Sequence, residues 1–421
     1  MIDLEAARLL LDFGAGRIAP DRAEEQLRGA VAIHNILRKH RVAYLADEVG
    51  MGKTYVALGA LALFRHFDPN FRVLVIAPRE NIQRKWQKEL RNFTSSNVKV
   101  DDLRVRGPDG RPGRPLVNCG NLIDLVNEAS LDPNRDFFLR MTSFSLPLGK
   151  SSDDWKRTRD GLRRHLPWLS DDAFDLRNKD QFKKNFARAL CCALPKFDLV
   201  IVDEAHNFKH GFSTHSSARN RVLGEAFGRY PADDPPNPRL FPGYGPRAER
   251  VLLLSATPLE ETYRHVWNQL DLFGLADPFG DLKGDDVAED QKKKVAGEFL
   301  VRRVTAIRVG GREHTKNMYR REWRGGGVAK HDEPIHIEDE RQRLVVALVQ
   351  KKVSELLSGK RFNRSFQIGM LASFESFLET ARLKRNDDDE ATVFDDSEQT
   401  DVLVEREGMD VRDLNRLARD Y

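Results

Sequence analysis

Leu45-Ala46-Asp47-Glu48-Val49-Gly50-Met51-Gly52-Lys53-Thr54 is the stretch on which the reading of this chain turns. It is a glycine-bearing turn between two apolar segments. Residues 42–46 before it form an apolar run short enough for a buried strand. Residues 55–64 after it place Val56, Ala57, Ala60, Leu61 and Phe64 on one helical face. Strand, glycine turn and helix make up a phosphate cradle. Gly50 and Gly52 let backbone amides turn inward around phosphate oxygens, and the following helix points its positive dipole end at the same place. Lys53 would reach the β and γ phosphates, and the Thr54 hydroxyl would hold magnesium. The general pattern asks for glycine at position 47, where Asp47 stands.

A second stretch answers the first. Residues 197–206 read Phe-Asp-Leu-Val-Ile-Val-Asp-Glu-Ala-His, with a continuous apolar run from 199 to 202 as expected for a parallel strand buried on both faces. Two carboxylates at its exit are expensive unless used. Ligands of open α/β sheets sit beyond the carboxyl ends of strands, which places Asp203 and Glu204 beside the phosphate loop. Asp203 can then hold the magnesium, directly or through water, while Glu204 orients and deprotonates an attacking water. The bland alternative is a strand that happens to end in acidic residues.

Between and around these stretches the pattern alternates strand and helix. Residues 4–13 are helical by pattern, ended by Gly14-Ala15-Gly16 and Pro20, and 26–37 repeat apolar positions at helical spacing. Gln26 at the start of that helix offers an amide that can read an adenine edge, or is a plain surface residue. Residues 73–78 are an apolar strand stopped by proline, followed by a helix over 81–93 whose Lys85 is a candidate nucleic-acid contact. Trp86 on that helix reads as packed against the sheet rather than stacked on a base. Residues 137–144 look like another strand, with Thr142 and Ser143 at its exit. The span 146–195 reads as a mostly helical insertion, whose basic side, including Arg157 and Arg163, contacts either nucleic acid or solvent. Residues 104–114 and 231–246 read as surface loops. Residues 251–254 form another buried strand, ending in Ser255-Ala256-Thr257-Pro258, whose hydroxyls can sense the metal and carboxylate site, and 260–273 return as a helix.

Composition sets outer limits. A chain of 421 residues has length for about two to three domains and needs no staples to fold. Three cysteines, Cys119, Cys191 and Cys192, fit neither a disulfide framework nor a zinc spacing. Reduced, mostly buried thiols in a cytoplasmic protein are expected. The acidic start lacks a signal-peptide pattern and no apolar run approaches a membrane span, so no membrane partner is expected. Charged residues are 32% of the chain, yet Lys+Arg exceed Asp+Glu only by 69 to 65, so any basic surface is local.

In order, Asp47 to Thr54, Ala77-Pro78, Thr142-Ser143, Asp203-Glu204-Ala205-His206 and Ser255-Ala256-Thr257 resemble the motor motifs of superfamily 2 helicases, the fourth being a DEAH box. The form Ala-Asp-Glu-x-Gly-x-Gly-Lys-Thr, with Asp47 in the glycine position, is similar to the Swi/Snf-type, chromatin-remodeller-like branch. The resemblance covers about residues 23 to 310 and ends in Phe299-Leu300-Val301-Arg302-Arg303, which looks like that branch's exit toward a second lobe. It implies a RecA-like parallel sheet with helices on both faces and binding of ATP with Mg2+. The nucleotide would be held by Gln26, Asp47, Glu48, Gly50, Met51, Gly52, Lys53 and Thr54. It implies that His206 couples the ATP site to the nucleic-acid site through Ser255 and Thr257. Such enzymes usually translocate along double-stranded DNA, in remodelling, transcription recycling or phage defence.

The complete motor of that family has two RecA-like lobes, the second supplying an arginine finger. No second set of strands is legible after Arg303, and no Gln-x-x-Gly-Arg-x-x-Arg pattern occurs. Residues 335–357 and 366–383 are helical by pattern, and the acidic run from Asp387 leads a stretch that reads as a disordered linker. The expected organisation is an N-terminal helix over 1–22, a RecA-like ATP-binding lobe over 23–300, a helical extension over 301–385 and an acidic flexible tail over 386–421. The expectation is then a fragment, a disrupted gene product or one subunit of a split motor, needing a second lobe in trans or a full-length form. Alone it is expected to hydrolyse ATP slowly. The alternatives are a non-catalytic ATP-gated protein-interaction module and the helicase subunit of a restriction or defence complex.

Overall fold

The computed structural model describes residues 1–15, 18–47, 51–100, 116–132, 135–149, 151–212, 216–255, 262–302, 306–309 and 312–315. Seven strands form one sheet: β1 (Val42–Leu45), β2 (Val73–Ala77), β3 (Leu116–Cys119), β4 (Asp136–Arg140), β5 (Leu199–Asp203), β6 (Val251–Leu254) and β7 (Leu300–Val301). Their order is β3-β4-β2-β5-β6-β1-β7, and every pairing is parallel. This is the RecA-like parallel sheet expected from the sequence.

Helices cover both faces. On one lie α1 (Leu4–Leu10), α2 (Pro20–His40), α3 (Lys53–Phe67) and α4 (Glu80–Ser96). On the other lie α5 (Leu122–Leu131), α6 (Ser152–Arg163), α7 (Lys179–Ala193), α8 (Ala218–Ala226), α9 (Tyr263–Asp271) and α10 (Glu289–Gly297). Alternate strand residues feed the two cores: Ala43 and Leu45 join one, Val42 and Tyr44 the other. Both faces being buried, the central strands read as continuous apolar runs.

Several boundaries move from their sequence-based positions. Pro20 opens α2 from its first turn, where a missing N–H leaves no bond unmade, rather than ending the first helix. The strand expected over 137–144 ends at Arg140, and Met141–Ser145 wind into a 3-10 turn that buries Met141 and Phe144, three residues apart. The helical span 146–195 is no appendage: Phe182, Phe186 and Leu190 of α7 sit in the main core. The loop 231–246 is anchored as well, by buried Phe241 and by the Tyr244 hydroxyl, which lies 3.1 Å from Glu225 Oε2. Strands β3 and β7 are additions to the pattern. β3 is an edge strand with Asn118 exposed, and β7 has only two residues.

All the described elements belong to one compact unit, Met1–Met318. Beyond the sheet, β8 (Ala306–Val309) and β9 (Arg312–Thr315) form an antiparallel hairpin where a helical extension is expected to begin. The helical patterns at 335–357 and 366–383, the acidic tail and the loop 104–114 lie outside the described residues. No helix among the described residues is long and apolar enough to cross a membrane.

Candidate active site

Three strand ends build the site. In the sheet, β6 lies between β1 and β5, so the residues following these neighbours leave the same end of the sheet side by side. Those residues are the loop after Leu45, Asp203-Glu204 and Ser255.

The loop closes on the start of α3. Gly52 caps that helix at φ +80°, a left-handed conformation that side chains disfavour. A Cβ there would lie 2.3 Å from Gln26 Nε2. Gln26 itself donates from Nε2 to the Met51 carbonyl at 3.3 Å, so the glutamine of α2 is seated against the loop. Lys53 donates from Nζ to the carbonyl of fully buried Asp47 at 3.0 Å, and Thr54 follows, half-buried in the first turn. Glu48 and Gly50 lie outside the described residues. Burial pulls the Lys53 ammonium below its usual range, opposed by the negative fields of Glu204, Asp47 and Asp203. The lysine therefore stands among the three acids that the sequence placed around it.

Both oxygens of Asp203 are engaged. Oδ2 accepts from Trp86 Nε1 at 2.8 Å, and Oδ1 accepts from the Glu204 backbone N–H at 3.0 Å. Burial pushes this carboxyl above its usual range and the Trp86 bond opposes the rise. Each oxygen keeps a lone pair beyond these bonds, a donor set that a hard cation accepts together with the Thr54 hydroxyl. With Lys53 and a glycine turn whose left-handed φ disfavours any side chain, these groups fit a magnesium-bound polyphosphate.

Glu204 adopts φ 52°, ψ 49°, a left-handed conformation uncommon outside glycine, and its carbonyl accepts from Asn207 Nδ2 at 2.9 Å. Its Oε2 is 3.3 Å from His206 Nδ1, and this bond holds the Glu204 carboxyl below its usual range. The same Nδ1 lies 3.0 Å from Ser255 Oγ, with Ser255 fully buried. A proton on Nδ1 serves both oxygens, joining the base candidate to the end of β6. Thr257 lies outside the described residues.

The nucleic-acid candidates scatter. Lys85 is exposed and 3.7 Å from Glu89, and its charge reaches both Lys53 and Glu204, which places it near the phosphate end of the sheet. Thr142 is exposed, whereas Ser143 is buried with its hydroxyl 3.5 Å from the Gly120 carbonyl. Arg157 pairs with Asp154 on α6 at 3.0 Å, and Arg163 pairs at 2.6 Å with Asp171 in the turn after that helix, a carboxylate it shares with Arg159. Trp86 is where the sequence reading was incomplete. Its burial against the sheet was expected, but its bond to Asp203 was not, although a buried indole N–H generally needs a partner. The cysteines take no part. Burial raises all three thiols, Cys119 and Cys192 to about 12, which removes the thiolate that nucleophilic chemistry needs.

Comparison with known proteins gives a partial answer. The family model described as type III restriction enzyme, res subunit, matches residues 20–115, from α2 through the phosphate loop to the edge of β3. No curated protein matches the chain. Among solved structures, a Sulfolobus solfataricus SWI2/SNF2 ATPase core in complex with double-stranded DNA is similar at 13% identity over 85% of this chain, with a TM-score of 0.39. This chain spans 64% of that structure's length. A Sulfolobus solfataricus SWI2/SNF2 ATPase core domain is similar at 12% identity, covering 92% of this chain and 74% of that one, with a TM-score of 0.38.

Proposed function

We propose that this chain carries the ATP-binding lobe of a nucleic-acid-dependent ATPase of the superfamily 2 helicase type, nearest the Swi/Snf branch, which hydrolyses ATP to drive movement on double-stranded DNA. The observation that carries the reading is the convergence of Lys53 with Asp47, Asp203 and Glu204 at one end of a parallel sheet. The family match over the phosphate-loop region supports it. Lys53 stabilises charge on the phosphates, and Thr54 and Asp203 hold the metal. Held there, magnesium would supply neutralisation of the phosphate charge. Glu204, kept ionised by His206, takes the proton of the attacking water. Gln26, seated against the loop at the Met51 carbonyl, would read the adenine edge with its amide. An arginine from a second RecA-like lobe, in trans or in a longer form, completes the charge stabilisation.

Glu204 favours this over a non-catalytic nucleotide-gated module, since binding alone has no use for a base held ionised at a strained backbone position. The family match keeps the helicase subunit of a restriction or defence complex as the second reading. The test is ATP turnover by the purified chain with and without double-stranded DNA, beside Lys53→Ala and Glu204→Gln. DNA-stimulated turnover lost in both variants is the expected result. Magnesium-dependent ATP binding without turnover would assign the chain as half a motor, and no binding would sink the reading.

A further inference from the structure

We infer that Trp86 is a positioning residue of this site: through its indole N–H it sets the plane of the Asp203 carboxylate for the cation, and so ties helix α4 to metal binding. The inference rests on the ATP-site reading above. A carboxylate at a strand end rotates about one bond unless two points hold it. Here Oδ2 is held by Trp86 at 2.8 Å and Oδ1 by the Glu204 backbone at 3.0 Å, which together fix the group and leave its remaining lone pairs in a defined direction. The backbone contact comes from the adjacent residue and is always within reach. The indole is supplied from another element and is the one that can be lost.

The indole is itself held firmly. Trp86 is 2% exposed, with its ring centroid 6.2 Å from that of Phe138 on β4. It carries a single donor on a rigid ring, so little freedom remains once the ring is packed. The same face of α4 is not built for packing alone. Gln83, three residues earlier, is 3% exposed and its amide nitrogen has no hydrogen-bond partner among the described residues. On the neighbouring position Lys85 projects a charge felt by Lys53 and Glu204. One helix therefore bears on the lysine, the base candidate and the metal carboxylate together. A shift of α4 along the sheet would turn Asp203.

The experiment is equilibrium binding of a fluorescent ATP analogue to the full chain across a magnesium titration, for the native chain and for Trp86→Phe, which keeps most of the apolar volume and removes the N–H. The expected result is a magnesium requirement raised about 10-fold in Trp86→Phe, with little change in binding at saturating magnesium. An unchanged requirement overturns the assignment of Trp86 while leaving the ATP site standing. Absence of magnesium-dependent binding in the native chain overturns the ATP reading and this inference with it. Should Trp86→Phe fail to fold, indole N–H resonances of the native chain decide. Among those of the five tryptophans, one is expected to move upfield in Asp203→Asn and the same one to move when magnesium is added with nucleotide. If no resonance responds to both, the inference fails.

Discussion

His206 Nδ1 lies 3.0 Å from Ser255 Oγ and 3.3 Å from Glu204 Oε2, so one ring nitrogen joins the turn after β5 to the end of β6. Removing either partner breaks the same connection. His206→Ala and Ser255→Ala are each expected to lower the rate of DNA-stimulated ATP turnover, and the double variant to fall little below the worse single one. Measured as a double-mutant cycle, the coupling is expected at about 1 kcal/mol. Additive losses would show that the two residues act separately.

Gly52 combines a positive φ with a near contact to Gln26. Gly52→Ala is therefore expected to destabilise the lobe by about 1–2 kcal/mol and to abolish nucleotide binding. Adding Gln26→Ala removes the obstacle at 2.3 Å but not the backbone strain, so thermal melts of the double variant are expected to show only partial recovery.

Away from the site, Arg65 of α3 pairs with Asp136 at the start of β4, the two side chains being 8% and 1% exposed. Asp136 also accepts from the Val73 backbone, and Arg65 donates to the Phe71 carbonyl. Asp136→Ala leaves a buried guanidinium without its counter-charge, and is expected to cost about 3–5 kcal/mol in denaturant unfolding. Replacing both residues with apolar ones of similar volume is expected to cost much less.

His34 gives a pH dependence with a definite sign. It is fully buried in α2, 4.4 Å from the Phe64 ring, and burial lowers its pKa from 6.5 to about 4. Because the unfolded chain takes up this proton first, stability is full above pH 6.5, falls as pH drops toward 4 and levels off below it. The loss across that window is about 3 kcal/mol. A His34→Phe variant is expected to show a shallower decline over the same pH range in parallel urea titrations.

Much of this was legible because buried parallel strands and their exits leave strong marks. The runs ending at Leu45, Ala77, Val202 and Leu254 are continuous and apolar, and the residues after them are chemically conspicuous. Lys53, Asp203 and Glu204 were assigned roles from that pattern, and the fold brings them together. What escaped had weaker marks. Leu300-Val301 is too short to show a period, and Leu116–Cys119, at an edge, is a four-residue run interrupted by exposed Asn118. The Trp86 bond to Asp203 joins residues far apart in sequence, which no local periodicity encodes. Arg157 and Arg163 looked available for phosphate contact because their carboxylate partners, three and eight residues away, are visible only once α6 and the turn after it are folded.

The two-residue strand β7 has a bearing on how the lobe is made. The carbonyls of Phe299, just before it, and of Val301 within it accept the backbone N–H groups of Tyr44 and Ala46, so it covers the outer edge of β1, the strand that leads into the phosphate loop. These partners stand near opposite ends of the lobe's sequence. During synthesis β1 emerges early and keeps that edge bare until almost all of the lobe has left the ribosome. An uncovered parallel edge is a template for wrong pairing. A nascent or truncated chain ending short of Phe299 is thus exposed to aggregation at the strand on which the phosphate loop depends.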